Sequence, residues 1–122
     1  MYELEKTFSF EAGHLLQYHD GQCHFPHGHS YVLTVKLRAS TLISSGPKQN
    51  MLIDFNEISA IVKPMISTYL DHKWINESLK SESSTVEFMA KWIFDYLKPK
   101  LTHLYAITLQ ETSTSKVTYF GD

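Results

Sequence analysis

The chain has 122 residues with 43% hydrophobic and 13% aromatic content, which predicts a single globular domain spanning residues 1–122. The net charge is −2 without a basic stripe, so the composition argues against nucleic acid as a direct partner. No apolar stretch approaches the roughly 18 residues of a membrane span, and no signal peptide precedes the first predicted strand. The single cysteine cannot form an internal disulfide. We therefore expect a cytoplasmic protein that does not associate with membranes.

Two alternating runs near the start of the chain predict a pair of antiparallel strands. From Tyr2 to His14, apolar residues recur at every second position, and His14 is the last residue on that apolar face. The second alternating run begins at His27 and predicts a strand over roughly 28–40. A loop of about a dozen residues joins the strands, and loops of this length are often functional.

The middle of the chain predicts two helices. Asp54 begins the first helix with Glu57 three residues later as a capping box, and an apolar stripe at helical spacing follows. Pro64 should bend this helix or disturb one of its turns. Ser84 is the predicted N-cap of the second helix, and the polar segment 76–83 connects the two helices.

The end of the chain returns to strands, predicted over 104–112 and 116–120 with a short Ser/Thr turn between them. The predicted order is therefore ββααββ. Four antiparallel strands with two helices between the hairpins predict a two-layer α+β fold, with both helices on one face of the sheet.

Antiparallel pairing of the first two strands would bring His14, His27 and His29 to the same end of the apolar face. Three converging neutral imidazoles, with no fourth ligand fixed by the pattern, are typical of an open and catalytic zinc site. The alternative for each histidine is a satisfied core residue. The matched positions on facing strands favour the zinc site and hence an enzyme.

Cys23 lies four residues before His27 and has three possible roles. Close to a dication, a thiol favours the thiolate form. It could be a fourth ligand that closes a structural Cys-His₃ site, or a catalytic base beside the metal. The remaining alternative is a small buried hydrophobic residue.

Asp71 and His72 follow the first predicted helix, where the carboxylate could orient the imidazole as a proton-transfer dyad. Neighbours in sequence rarely bond each other directly in a strand or helix, so the alternative is a solvated helix end. Glu111 lies on the apolar side of the third strand. It could form a salt bridge at the end of the sheet, or accept two parallel N–H donors such as those of a 2-amino-4-oxo pyrimidine.

Six short motifs, in order along nearly the whole chain, resemble the 6-pyruvoyltetrahydropterin synthase superfamily. These motifs are Phe10-Glu11-Ala12-Gly13-His14, Cys23-x-x-x-His27-Gly28-His29, Ile53-Asp54-Phe55, Leu70-Asp71-His72, Thr85-Val86-Glu87 and Glu111-Thr112. The cysteine is separated from His-Gly-His by three residues. This spacing resembles that of the bacterial 6-carboxytetrahydropterin branch of the superfamily, which belongs to queuosine biosynthesis.

The resemblance implies a tunnelling fold, in which sheets of neighbouring subunits join into a barrel and rings stack. We expect a homo-oligomer, predicted as a hexamer, with active sites between subunits. By position, His14, His27 and His29 would bind Zn²⁺. Cys23 would be the catalytic base, and His72 with Asp71 would be the second acid/base.

The resemblance further implies that Glu111 anchors the pterin. The implied reaction converts 7,8-dihydroneopterin triphosphate to 6-carboxytetrahydropterin, acetaldehyde and triphosphate. Two alternatives are the pyruvoyl synthase reaction, which stops after triphosphate loss, and a zinc- or pterin-binding module without catalysis. No Gly-rich dinucleotide loop is present, which fits a reaction in which hydrogen moves within the substrate.

Overall fold

The computed structural model describes residues 1–122 as a four-stranded antiparallel sheet with helices inserted between its two hairpins. The elements, in chain order, are β1 (Tyr2–His14), β2 (His27–Ala39), α1 (Phe55–Met65), α2 (Ile75–Ser78), α3 (Val86–Leu97), β3 (Leu104–Thr112) and β4 (Ser115–Tyr119). A 3₁₀ helix spans Gln22–His24 within the first long loop, and a π-helical turn spans Ile66–Leu70 directly after α1. The predicted α+β fold is confirmed.

The sheet has the strand order β1-β2-β3-β4, so each strand pairs with its neighbour in sequence. Strands β1 and β2 pair without interruption from Tyr2 opposite Ala39 to His14 opposite His27. The alternating pattern therefore predicted this hairpin correctly, with the end of β1 beside the start of β2. Because side chains on a strand alternate between the two faces, His14 and His29 project on the same side as the apolar residues.

Helix α1 ends in a π-helical turn rather than at a simple bend. Asp54 caps the helix by accepting a hydrogen bond from the Asn56 N–H at 2.8 Å. Pro64 lies in the last turn of α1, where it cannot donate a backbone hydrogen bond. The helix then widens, and the Asp71 N–H donates to the Ile66 carbonyl at 2.7 Å. The predicted disturbance at Pro64 thus takes the form of a π turn.

The prediction that Ser84 caps the following helix was wrong by one residue. Thr85 is the N-cap of α3, and its hydroxyl accepts a hydrogen bond from the Phe88 N–H at 3.1 Å. Ser84 is fully buried instead. The segment predicted as a polar connection contains the short helix α2, which the capping signals did not indicate.

One continuous hydrophobic core lies between the apolar face of the sheet and the helices. Leu33, Val35 and Leu37 of β2 are fully buried there, together with Met65 of α1 and Ile93 of α3. The core ends at the histidine end of the β1–β2 hairpin. None of the helices has the length and apolar content that crossing a membrane requires.

Candidate metal centre

The structure brings the three predicted histidines together at the end of the β1–β2 hairpin. His14, His27 and His29 each offer one ring nitrogen, and these three atoms lie within 4.8 Å of one another. The ring centroids are 4.5 Å apart for His14 and His27, and 4.9 Å apart for His27 and His29. This spacing lets a single metal ion contact all three imidazoles.

Backbone carbonyls orient two of the rings. The Nδ1 of His14 lies 2.7 Å from the carbonyl of Ser84, and the Nδ1 of His27 lies 2.8 Å from the carbonyl of Phe25. A carbonyl only accepts, so each Nδ1 carries the proton and each Nε2 keeps a free lone pair. Metal-ligating histidines usually make this second contact, because it fixes the tautomer and the direction of the ring.

The buried polar atoms of the cluster fit a metal ion. The Nε2 atoms of His14 and His29 are buried and have no hydrogen-bond partner in the protein. A buried polar atom without a partner carries a free-energy cost that metal coordination removes. Three neutral imidazole nitrogens are a donor set that suits zinc.

Burial favours the neutral form of His14 and His29. Desolvation is the main cause that lowers the pKa of His14, and it also lowers the pKa of His29. A protonated imidazole cannot ligate a metal, so a lowered pKa favours the ligating form at neutral pH. Tyr31 forms the floor of the cluster, where it is fully buried and its ring centroid lies 5.5 Å from that of His29.

Glu111, near the end of β3, lies next to two of the histidines. One carboxylate oxygen is 3.6 Å from the Nε2 of His29, and the other is 3.9 Å from the Nε2 of His14. Both distances exceed hydrogen-bonding length, so neither oxygen is committed to a histidine. The carboxylate thus faces the three-histidine cluster with its acceptor capacity unused.

Cys23 lies beside the cluster and not within it. It belongs to the 3₁₀ helix in the long loop, is half-buried, and lines a cavity together with His27 and His29. Its sulfur is not among the converging ligand atoms. Cys23 therefore lies outside the three-histidine cluster but borders the same cavity as two of its members.

Asp71 and His72 bond each other directly, although neighbours in sequence rarely do so in a strand or helix. The Nδ1 of His72 lies 3.0 Å from a carboxylate oxygen of Asp71. His72 adopts a left-handed conformation with φ of 57°, outside any regular element. The other carboxylate oxygen of Asp71 accepts the Glu11 N–H at 3.0 Å. This bond is the main cause that lowers the pKa of Asp71, and the bond to His72 is the second.

The imidazole of His72 is mostly exposed, and it lines a second cavity that also reaches His29. Its exposure is that expected for a solvated helix end. Its contact with Asp71 is that expected for a dyad. The two cavities place Cys23 and His72 on either side of His29, one of the three clustered histidines.

Sequence reasoning missed Asn76, whose side chain fixes the backbone around His14. Its Oδ1 accepts the Leu15 N–H at 2.8 Å, and its Nδ2 lies 2.9 Å from the Leu15 carbonyl. The same Nδ2 contacts the carbonyls of Ser81 and Glu82 at 3.0 and 3.1 Å. The only sequence signal was an asparagine in a polar segment, which is also typical of an ordinary turn.

An α+β fold whose first hairpin ends in a three-histidine cluster beside two cavities defines a class of small domains that could hold a metal ion next to a substrate. The comparisons with known proteins are more specific. The family model described as 6-pyruvoyl tetrahydropterin synthase matches residues 3–122, so the chain belongs to that family.

Relatives from two bacteria share most of their length with this chain. A 6-carboxy-5,6,7,8-tetrahydropterin synthase of Synechocystis is 38% identical over 122 residues, covering 99% of this chain and 95% of the relative. The enzyme of the same name from Haemophilus influenzae is 34% identical over 140 residues, covering 98% of this chain and 99% of the relative. The solved structure of 6-pyruvoyl tetrahydropterin synthase from Caenorhabditis elegans superposes with a TM-score of 0.85 at 29% identity, covering 99% of this chain and 96% of that one. The predicted family and the predicted enzyme class, a lyase of pterin chemistry, are confirmed.

Proposed function

We propose that this chain is a zinc-dependent carbon–carbon lyase. It would convert 7,8-dihydroneopterin triphosphate and water to 6-carboxy-5,6,7,8-tetrahydropterin, acetaldehyde and triphosphate in the biosynthesis of 7-deazapurines such as queuosine. The convergence of His14, His27 and His29 within 4.8 Å carries the proposal, because three such imidazoles can hold a zinc ion and leave a position open for substrate. The names of the Synechocystis and Haemophilus relatives support the choice of product.

The three histidines would hold zinc through their Nε2 atoms. When bound, the metal would polarise the oxygens of the substrate side chain and so acidify the neighbouring C–H bond. Cys23 is the proposed base that accepts this proton, since it lines the same cavity as His27 and His29 without joining the ligand atoms.

His72 is the proposed second acid/base, and Asp71 is its orienting partner. The 3.0 Å contact between Asp71 and the Nδ1 of His72 directs the opposite ring nitrogen away from the carboxylate. Asp71 is itself held by the Glu11 N–H, so the pair is anchored to the edge of β1. The imidazole is exposed into the cavity that reaches His29, from which it can return a proton to the substrate.

Glu111 is the proposed anchor of the pterin ring. Its carboxylate can accept two parallel N–H donors from the 2-amino-4-oxo pyrimidine edge as a charge-assisted pair. The distances of 3.6 and 3.9 Å to the histidine nitrogens leave both oxygens available for such donors.

The proposed enzyme acts as a cytoplasmic homo-oligomer, predicted as a hexamer, with its active site completed by a neighbouring subunit. The exposure of His72 and the open cavity beside it are consistent with a surface that a second copy covers. Light scattering after size-exclusion chromatography should give six times the 14.1 kDa chain mass.

Incubation of the purified protein with 7,8-dihydroneopterin triphosphate tests the reaction. We expect mass spectrometry to detect 6-carboxytetrahydropterin and acetaldehyde. The likeness to the C. elegans enzyme favours a second candidate, the pyruvoyl synthase reaction, which would yield triphosphate and a pyruvoyl pterin without acetaldehyde. Pterin binding without any product would instead indicate a binding module.

A further inference from the structure

Two cavities open beside His29, and they differ in charge. The cavity that contains Cys23 is lined by residues of the long loop and the start of β2, none of them lysine or arginine. The other cavity has a volume of about 520 Å³ and is lined by Glu11, His29, Ser30, His72 and Lys73 among others. We call it the Lys73 cavity. Lys73 is the only lysine or arginine lining either cavity.

The ammonium group of Lys73 is not neutralised by a carboxylate. Four of the eleven lysine and arginine residues form ion pairs with carboxylates, for example Lys36 with Glu5 at 3.8 Å and Lys91 with Asp95 at 2.7 Å. Lys73 makes no ion pair and no side-chain hydrogen bond within the chain, so its charge remains available to a ligand.

The backbone around Lys73 is fixed to the edge of β1. The Lys73 carbonyl accepts the Gly13 N–H at 3.1 Å, and the Lys73 N–H donates to the Leu70 carbonyl at 3.2 Å. One residue earlier, the His72 N–H donates to the Glu11 carbonyl at 2.6 Å. The long side chain therefore starts from a fixed base beside the metal centre.

The nearby carboxylates are occupied by other partners. Asp71 accepts the Glu11 N–H and contacts His72, each at 3.0 Å. The Glu11 carboxylate accepts the Ser30 hydroxyl at 2.6 Å. Neither carboxylate forms an ion pair with Lys73, so an incoming anion meets an unpaired ammonium group.

We propose that the Lys73 cavity is the subsite for the phosphate chain of the substrate, with the Lys73 ammonium as its principal protein cation. This proposal rests on the proposed function, in which the substrate carries a triphosphate that leaves during the reaction. A flexible lysine suits this role, because its point charge can follow phosphate oxygens as negative charge grows on the leaving group.

A pair of non-reacting, fluorescent ligands separates this subsite from the pterin site. Neopterin triphosphate and neopterin differ only in the phosphate chain, so the ratio of their dissociation constants measures the contribution of that chain. Lys73→Gln should weaken binding of neopterin triphosphate about tenfold, which corresponds to one charge-assisted contact, and should leave neopterin binding unchanged. Lys73→Arg should retain most of the preference. Lys116→Gln, at an exposed lysine that lines neither cavity, is the matched control.

Each outcome has a distinct meaning. An unchanged ratio in Lys73→Gln overturns the subsite while leaving the proposed function intact. An equal loss in Lys116→Gln also overturns it, because the effect would then reflect overall charge. If the wild-type protein binds neither pterin, the proposed function fails and the subsite with it.

Discussion

Replacing Asn76 with alanine removes the side chain that joins the end of β1 to the segment preceding α3. The amide has two hydrogens, so its three carbonyl contacts share two donors, and its oxygen accepts one further hydrogen bond from Leu15. About three hydrogen bonds are lost, each contributing roughly 1 kcal/mol net. We expect Asn76→Ala to lower the free energy of unfolding by about 3 kcal/mol, or the Tm by about 10 °C for a chain of this size.

The same substitution should also weaken the metal centre. Asn76 holds the carbonyls of Ser81 and Glu82, and the Ser84 carbonyl two residues further on orients His14 at 2.7 Å. Loosening this segment should lower zinc affinity about 10- to 100-fold, the usual effect of losing an orienting contact behind a metal ligand. Chelator competition measures that affinity, and thermal denaturation measures stability.

Two controls separate positioning of the ligand from general destabilisation. Asn56→Ala changes the same residue type at an exposed position in α1, where the side chain makes no hydrogen bond, and should leave both properties unchanged. Leu97→Ala truncates a fully buried side chain at the far end of α3 and should cost about 2–5 kcal/mol. Leu97→Ala should nevertheless keep wild-type zinc affinity. A Tm within 2–3 °C of wild type for Asn76→Ala would refute the estimated stability loss, which corresponds to about 10 °C. Unchanged zinc affinity would refute the link to His14.

Four further outcomes are expected. His27→Ala should lose most of the bound zinc, since two remaining ligands hold zinc poorly in water; full occupancy by metal analysis would contradict the site. Glu111→Gln should keep the fold but weaken pterin binding by about 2–4 kcal/mol, because a donor replaces one acceptor oxygen; an affinity within a few-fold of wild type would exclude the anchor. Cys23→Ala should retain zinc but lose about 10²- to 10⁴-fold in turnover, whereas zinc loss with a lower Tm would indicate a closed Cys-His₃ site. The folded-state pKa values of His14 and His29 are lowered below the usual 6.5, so the unfolded chain takes up protons first as the pH falls. The metal-free protein should therefore lose stability as the pH falls below about 6.5, and a Tm equal at pH 7.5 and 5.5 would contradict this.

The hairpin and its histidines could be predicted because they depend on a local pattern. Period-two alternation in both strands fixes which face each side chain takes, and the shortest antiparallel pairing then places His14 opposite His27. Glu111 was assigned to the apolar side of its strand for the same reason. Its approach to within 3.6 Å of His29 depends on the pairing of β2 with β3, which no local pattern specifies.

The residues that support the site could not be predicted, because their partners are backbone atoms from distant segments. Asn76 bonds Leu15, which is 61 residues away, and His14 is oriented by the carbonyl of Ser84, which is 70 residues away. A carbonyl is present at every position and leaves no signature in sequence. The direct bond between Asp71 and His72 forms where the chain takes a left-handed conformation after the π turn, and single-residue preferences do not indicate such a conformation.

The central claim is that His14, His27 and His29 hold a metal on which acetaldehyde formation depends. Acetaldehyde release from 7,8-dihydroneopterin triphosphate by metal-free protein, before and after restoring one equivalent of zinc per chain, tests it most directly. We expect the metal-free protein to release no acetaldehyde and the restored protein to recover full activity. Acetaldehyde release that is unaffected by removing the metal, or that does not return with zinc, would contradict the claim.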